Sequence, residues 1–223
     1  MSNVLAIESA SEILSVALST TKGVFAKSER LAGKHSAVVL PWVEALMNEA
    51  QIQLSDLDEI IFGAGPGAFT GVRMACSIAQ GLAFGLSIPV IAAPNLEFTA
   101  VGCQRMGHIG VLTDARMGQC YAAAFEITPS EIKEVAAACL LSPEDVKTWA
   151  QDLRLETVTG NAFDVYELGI EGIKREFDAR DALAWAATYP ERVTRVKASQ
   201  ARPVYIRNHV ALSIKERELG MKL

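Results

Sequence analysis

Apolar residues along the chain fall first in short dense runs and then at helical spacing. Asn3 to Ser9, Ile13 to Thr20 and Gly23 to Glu29 are rich in Val, Ile, Leu and Ala and are separated by only a few polar residues. That predicts three strands joined as an antiparallel meander. From His35 to about Ala50 the pattern changes: Val39, Val43, Leu46, Met47 and Ala50 form a stripe at helical spacing, widened by Val38 and Trp42. Ser36 is the expected helix cap, and Pro41 is expected in or near the first turn. The widened face admits two readings, additional core or a partner surface. Leu57 to Ala64 reads as a further strand, Gly63 to Arg73 as a glycine-rich turn, and Thr70 to about Leu86 as a second helix. Its Val72, Ala75, Ile78, Ala79, Leu82 and Leu86 form the sheet-facing stripe. Ser77, Gly81 and Gly85 repeat small residues every four positions on another face. Glycine inside a helix costs ~1 kcal/mol, so this row points to close approach by another helix. Ile88 to Ala93 is then a further strand.

Three strands in a meander, then helix, strand, helix, strand, is the order of a ribonuclease-H-like α/β unit with parallel strands added by crossovers. The second half has the same parts in reduced number: a helical segment to about Met106, a strand at Ile109 to Thr113, a hairpin turn at Asp114 to Gly118, and a strand from Gln119 to Phe125. A helix start follows at Ser142–Pro143–Glu144–Asp145, then a short strand at Glu156 to Thr159 and an Ala-rich helix from Ala179 to Tyr189. The expected division is 1–97 and 98–223, with the last segment able to pack back on the first unit. No residue-level repeat or low-complexity linker separates the halves.

Composition narrows the class. With 223 residues, half of them hydrophobic, the chain can bury a full core. Its formal net charge is −5, yet Arg192 to Arg217 holds seven Lys/Arg against one acid. That stretch is either a solvated surface or a contact for an anionic partner. Cys76, Cys103, Cys120 and Cys139 are far apart and form no C-x-x-C pair, so they read as buried thiols of a reducing compartment. Met1 to Ala6 has no basic region ahead of an apolar core, and no apolar run approaches a membrane span. A cytoplasmic protein is expected.

The candidate chemistry lies in two turns. Gly63 to Arg73, G-A-G-P-G-A-F-T-G-V-R, leaves a strand and opens a helix, so its backbone N–H groups can form an anion cradle. It lacks the Lys of a G-x-x-x-x-G-K-[ST] loop, and the bland alternative is a tight strand-to-helix turn. The first hairpin carries Glu8, Ser9 and Ser11, a carboxylate and two hydroxyls that either hold a phosphate or simply stabilise the turn.

Four segments in order, I-E-S-A-S-E at Ile7 to Glu12, G-P-G-A-F-T-G-V-R at Gly65 to Arg73, D-A-R-M-G-Q-C-Y at Asp114 to Tyr121 and R-P-V-Y-I-R at Arg202 to Arg207, resemble the bacterial TsaB (YeaZ) family. The resemblance covers nearly the whole chain. It implies the actin, sugar-kinase and Hsp70 fold class with two ribonuclease-H-like subdomains, the second reduced. It also implies a role, with the paralogue TsaD and the ATPase TsaE, in making N6-threonylcarbamoyladenosine at position 37 of tRNAs that read codons beginning with A.

In that system TsaD carries the transfer, and the TsaB partner lacks the active site. Where TsaD has a metal-binding H-x-x-x-H, this chain has Asn95 and Thr99, so no metal site and no catalytic residue are expected. Glu8 stands where the fold class usually has Asp, which argues against a nucleotide on this chain alone. If one binds, as ATP or ADP at a joint site with the partner, Ser9, Ser11, Gly65 and Gly67 are expected near it. The expected partner interface is Val38, Trp42, Arg73, Ser77, Gly81 and Gly85, docking TsaD directly, with TsaE reached through the complex and tRNA only indirectly. Without TsaD the same face is expected to pair with itself as a homodimer. Asp114 and Arg116 read as a hairpin ion pair or an acid and electrophile, and Cys120 as a buried thiol with no His beside it. The rival classes are a kinase, ATPase or protease of the same fold, and a stand-alone tRNA binder using the basic stretch.

Overall fold

The computed structural model describes residues 2–31 and 33–207. β1 (Val4–Glu8), β2 (Ile13–Thr20) and β3 (Gly23–Arg30) form the meander, with β1 antiparallel to β2 and β2 to β3. α1 (His35–Ala50) crosses to β4 (Glu59–Gly65), which lies parallel to β1. α2 (Phe69–Leu86) crosses to β5 (Val90–Pro94), parallel to β4. β1 and β4 are buried along their whole length, as central parallel strands covered on both faces must be.

After α3 (Asn95–Gly102) the plan repeats. β6 (Gly107–Asp114), β7 (Cys120–Ile127) and β8 (Ile132–Leu141) form a second antiparallel meander, and α4 (Val146–Asp152) leads to β9 (Thr157–Gly160), parallel to β6. β10 (Ile173–Lys174) adds only two residues beside β9. A single turn of helix at Asn161–Asp164 takes the place that α2 has in the first unit. The strand order is β5-β4-β1-β2-β3 in one sheet and β10-β9-β6-β7-β8 in the other. These are two ribonuclease-H-like sheets, the second reduced, in the arrangement of the actin, sugar-kinase and Hsp70 class.

α5 (Ala179–Thr188) packs with α3 between the sheets, where Ile61, Ile91, Phe98, Val111, Phe125 and Trp185 share one core. A second core lies between the first sheet and α1 and α2, and a third between the second sheet and α4. The central pair is tied by charge: Glu97 on α3, almost fully buried, accepts from Trp185 Nε1 at 2.7 Å and from Arg192 Nε at 2.9 Å. β11 (Arg195–Val196) then returns to the edge of the first sheet, antiparallel to β5, and Arg195 Nε donates to Glu59 at 2.6 Å.

Some sequence expectations are corrected. Helix α1 begins at His35 with Lys34 in the cap position, and no side chain caps it. Ser36 is already inside the helix, and Pro41 lies in its interior. The sheet-facing stripe of α2 is Val72, Ala75, Cys76, Ala79 and Ala83; Ile78, Leu82 and Leu86 are only half-buried at its flanks. The small side chains let the helix lie close to the sheet. Two arginines of the basic stretch, Arg192 and Arg195, are spent on Glu97 and Glu59, while Lys215 and Arg217 lie outside the described residues. Among the described residues no helix is long and apolar enough to cross a membrane.

Candidate functional site

Between the two sheets opens a cleft of about 350 Å³, walled by the first hairpin, the glycine-rich turn, the Asp114–Met117 turn and the chain segment ending at Arg207. The four sequence motifs therefore meet at one place. Ser11 and Gly67 line the cleft, but Ser9 and Gly65 do not. The Ser9 hydroxyl, fully buried, donates to the Gly71 carbonyl at 2.7 Å, and the Ser11 hydroxyl accepts from the Ile13 N–H at 3.1 Å, closing a local turn.

The glycine-rich turn already has an occupant, the chain's own segment 201–207. The Val204 N–H donates to the Ala64 carbonyl at 2.7 Å. Gly65, at φ +105°, passes so close beneath that a Cβ there would stand 2.7 Å from the Val204 carbonyl oxygen. The turn needs glycine here both for its backbone angle and for this approach. Tyr205 stacks near Phe69, with ring centroids 5.7 Å apart, and its hydroxyl accepts from Arg73 Nε at 2.7 Å. Arg207 donates to the Ala115 carbonyl and to Met117 Sδ, reaching the opposite wall. The segment is thus a strap from the first unit to the second.

Under the turn lies a closed polar network. Asn95 Nδ2 donates to Glu8 Oε2 at 3.0 Å, and its Oδ1 accepts from the Gly65 N–H at 2.8 Å. Glu8 Oε1 accepts from the Ala10 N–H. Burial pushes the Glu8 carboxyl up to about 7 against these donors, which favour the charged form. Thr99 donates to the Asn95 carbonyl at 2.7 Å. Both residues at the H-x-x-x-H position are therefore fully buried and committed to backbone and side-chain partners, facing no open ligand position. Among the described residues no three His, Cys, Asp or Glu side chains converge as metal ligands.

At the cleft mouth Arg30 and Arg116 are neutralised by carboxylates. Arg116 pairs with Asp114 at 3.2 Å and with Glu12 at 3.2 Å, and Arg30 bridges Glu12 and Glu176. Glu12 is held below the usual carboxylate range by Arg116 and Arg30. Asp114 also accepts from the Tyr166 hydroxyl, which burial and this carboxylate push up to about 12. The Cys120 thiol is raised to about 12 by burial and by Asp114, so it is not a thiolate near neutral pH. Sequence reasoning singled out Asp114 and Arg116 but missed the long-range partners Glu12, Tyr166, Asn161 and Glu176.

The expected interface residues fall into two sets. Arg73, Ser77, Gly81 and Gly85 are all exposed along the outer face of α2, with Phe84 between the glycines at 78% exposure. A Cβ added at Gly81 or Gly85 would meet nothing within 4 Å. Val38 and Trp42 on α1 are half-buried against the core beneath α1 and α2.

A family model described as TsaD, tRNA N6-adenosine threonylcarbamoyltransferase, matches residues 13–210. The tRNA threonylcarbamoyladenosine biosynthesis protein TsaB of Escherichia coli (strain K12) is 36% identical over 93% of this chain and 96% of its own length. The chain belongs to the TsaB family, within the wider TsaD family. TsaB of Bacillus subtilis (strain 168) is 33% identical over 59% of this chain and 58% of its own. The structure of YeaZ from Pseudomonas aeruginosa superposes with a TM-score of 0.78 at 32% identity, covering 92% of this chain and all of that one.

Proposed function

We propose that this chain is a non-catalytic partner subunit in the formation of N6-threonylcarbamoyladenosine on tRNA. It docks TsaD directly through the outer face of α2, and reaches TsaE through the complex. The observation that carries the reading is the pair Gly81 and Gly85. Both sit in the exposed interior of a long helix where the fold itself leaves open space at each Cβ. Two helix glycines cost about 2 kcal/mol relative to alanine. Among the described residues nothing packs there to offset that, whereas a helix packed across the face would. Ser77 and Arg73 continue the row and exposed Phe84 supplies an apolar anchor; the proposed face also takes in Val38 and Trp42 of α1. Without TsaD the same face is self-complementary enough to pair two copies of this chain.

The cleft supports the non-catalytic part of the reading. Its arginines are paired with carboxylates or backbone carbonyls, Ser9 is turned inward, and the strap covers the glycine-rich turn. The reading requires no cofactor of this chain itself. Any ATP or ADP belongs to a joint site with the partner.

The test is reconstitution of tRNA modification from purified TsaD and TsaE with and without this chain. Modification is expected only when the chain is present, and the chain alone is expected to be inert. Equal modification without it, or turnover by the isolated chain, sinks the proposal.

A further inference from the structure

Two sets of arginines stand out among the described residues. Arg30, Arg116, Arg175, Arg180, Arg192 and Arg195 each pair with a carboxylate. Arg73, Arg202 and Arg207 gather around the strap, and among the described residues their partners are all neutral. Arg73 Nε donates to the Tyr205 hydroxyl; Arg202 donates to the Ser199 and Ala201 carbonyls; Arg207 donates to the Ala115 and Arg116 carbonyls and to Met117 Sδ.

Arg73 is the most ordered of the three. Its guanidinium lies 3.6 Å from the centroid of the Phe69 ring and 5.5 Å from that of Tyr205. One ring face fixes its plane and the Tyr205 hydroxyl fixes Nε, while the two terminal NH2 groups make no hydrogen bond to any described residue. A guanidinium held in this way presents a bidentate fork whose rotational freedom is already lost, and the matching acceptor is an oxyanion. The rings beside it are open, Phe69 at 39% and Tyr205 at 45% exposure.

We infer that Arg73, with Arg202 and Arg207 along the strap, is a contact for the phosphodiester backbone of tRNA, and that Tyr205 and Phe69 flank it as a stacking surface. The inference rests on the proposed function, which makes tRNA the substrate of the assembly. RNA is favoured over a carboxylate-bearing peptide for two reasons. Open aromatic faces interleaved with guanidinium groups take bases and sugar edges, which an acidic peptide does not use. The formal charge of the whole chain is −5, so a polyanion is repelled by most of the surface and oriented toward arginines such as these, whose positive charge no described acid cancels. Arg73 begins the row that continues as Ser77, Gly81 and Gly85, so it lies at the margin of the proposed docking face.

The test is tRNA binding by the reconstituted complex of this chain with TsaD. It is followed by fluorescence anisotropy of an unmodified transcript over a salt series, at concentrations where size exclusion shows the complex intact. Arg73→Gln is expected to weaken binding about fivefold to tenfold and to lower the slope of log affinity against log salt by about 0.7 to 1. Arg73→Gln with Arg207→Gln is expected to remove about twice that slope. Arg73→Lys, which keeps the charge but not the fork, is expected to restore the slope and only part of the affinity. The paired control Arg105→Gln with Arg154→Gln, which removes equal charge from exposed positions elsewhere, is expected to change affinity less than twofold.

Unchanged affinity and slope in the Arg73 variants overturns the inference. If those variants instead lose only TsaD association, the fork belongs to a partner carboxylate, which overturns it as well. Modification that still requires this chain while tRNA affinity ignores these substitutions leaves the proposed function standing and removes this inference alone. Modification that does not require the chain removes the proposed function itself.

Discussion

The buried Ser9 hydroxyl donates to the Gly71 carbonyl at 2.7 Å, and the backbones approach so closely that a Cβ on Gly71 would stand 1.9 Å from the Ser9 carbonyl oxygen. This contact presses the first turn of α2 onto the hairpin after β1. Gly71→Ala is therefore expected to force the helix off the sheet and to destabilise by roughly 2–4 kcal/mol. Urea melts would show the midpoint fall. A loss below about 0.5 kcal/mol would mean that the helix start moves freely.

Glu8 makes stability depend on pH. Its carboxyl stands at about 7 in the fold against 4.5 in the unfolded chain, raised by burial. Between those values the native state keeps a proton that the unfolded state has released. The favourable contribution is complete below about pH 4.5 and lost as pH rises through 7, at about 1.4 kcal/mol per unit. The native chain should thus lose roughly 3 kcal/mol relative to Glu8→Gln, which does not titrate, between pH 4.5 and 8. Parallel stability curves for the two proteins over that range would refute the assignment.

Glu97 is the only tie between the Trp185 indole N–H and Arg192 among the described contacts of those groups. Truncating it leaves a buried donor and a cation without their acceptor, so Glu97→Ala is expected to cost about 3–5 kcal/mol. Trp185 emission in the folded variant should shift as its hydrogen bond is lost. Arg192→Ala is expected to cost less, since Glu97 keeps the indole partner.

Gly81 separates stability from assembly. A methyl there meets nothing, so Gly81→Ala should raise stability by about 0.5–1 kcal/mol. Gly81→Trp should leave the isolated chain folded while abolishing co-purification with TsaD and self-association. A thermal melt and analytical ultracentrifugation on the same samples decide it; intact association in the Trp variant removes α2 from the interface.

The sequence made the first unit legible because its strands are dense in Val, Ile and Leu and its helices carry clear stripes. β8 escaped notice because I-K-E-V-A-A-A-C-L-L places an alanine run where alternation would identify a half-exposed strand. β10 and β11 are two residues each, too short to carry a period. The site was legible where its contacts are local, as in Asp114 with Arg116. It was opaque where they are distant: Ser9 looks like a turn hydroxyl, and only the fold brings Gly71 to it. Arg192 and Arg195 read as solvated charge, yet Glu97 sits in the otherwise nearly apolar segment N-L-E-F-T-A-V-G, and a buried acid requires a cation. That was the available signal.

The edge of the first sheet at β5 is covered by Arg195 and Val196, residues made only after the whole second unit. On the ribosome, β5 therefore waits with its outer N–H and C=O groups unpaired while eight further helices and strands emerge behind it. Nascent chains halted before Arg195 expose a ready template for strand addition. Two residues made late are then the ones that shield the edge of the unit made first in a crowded cell.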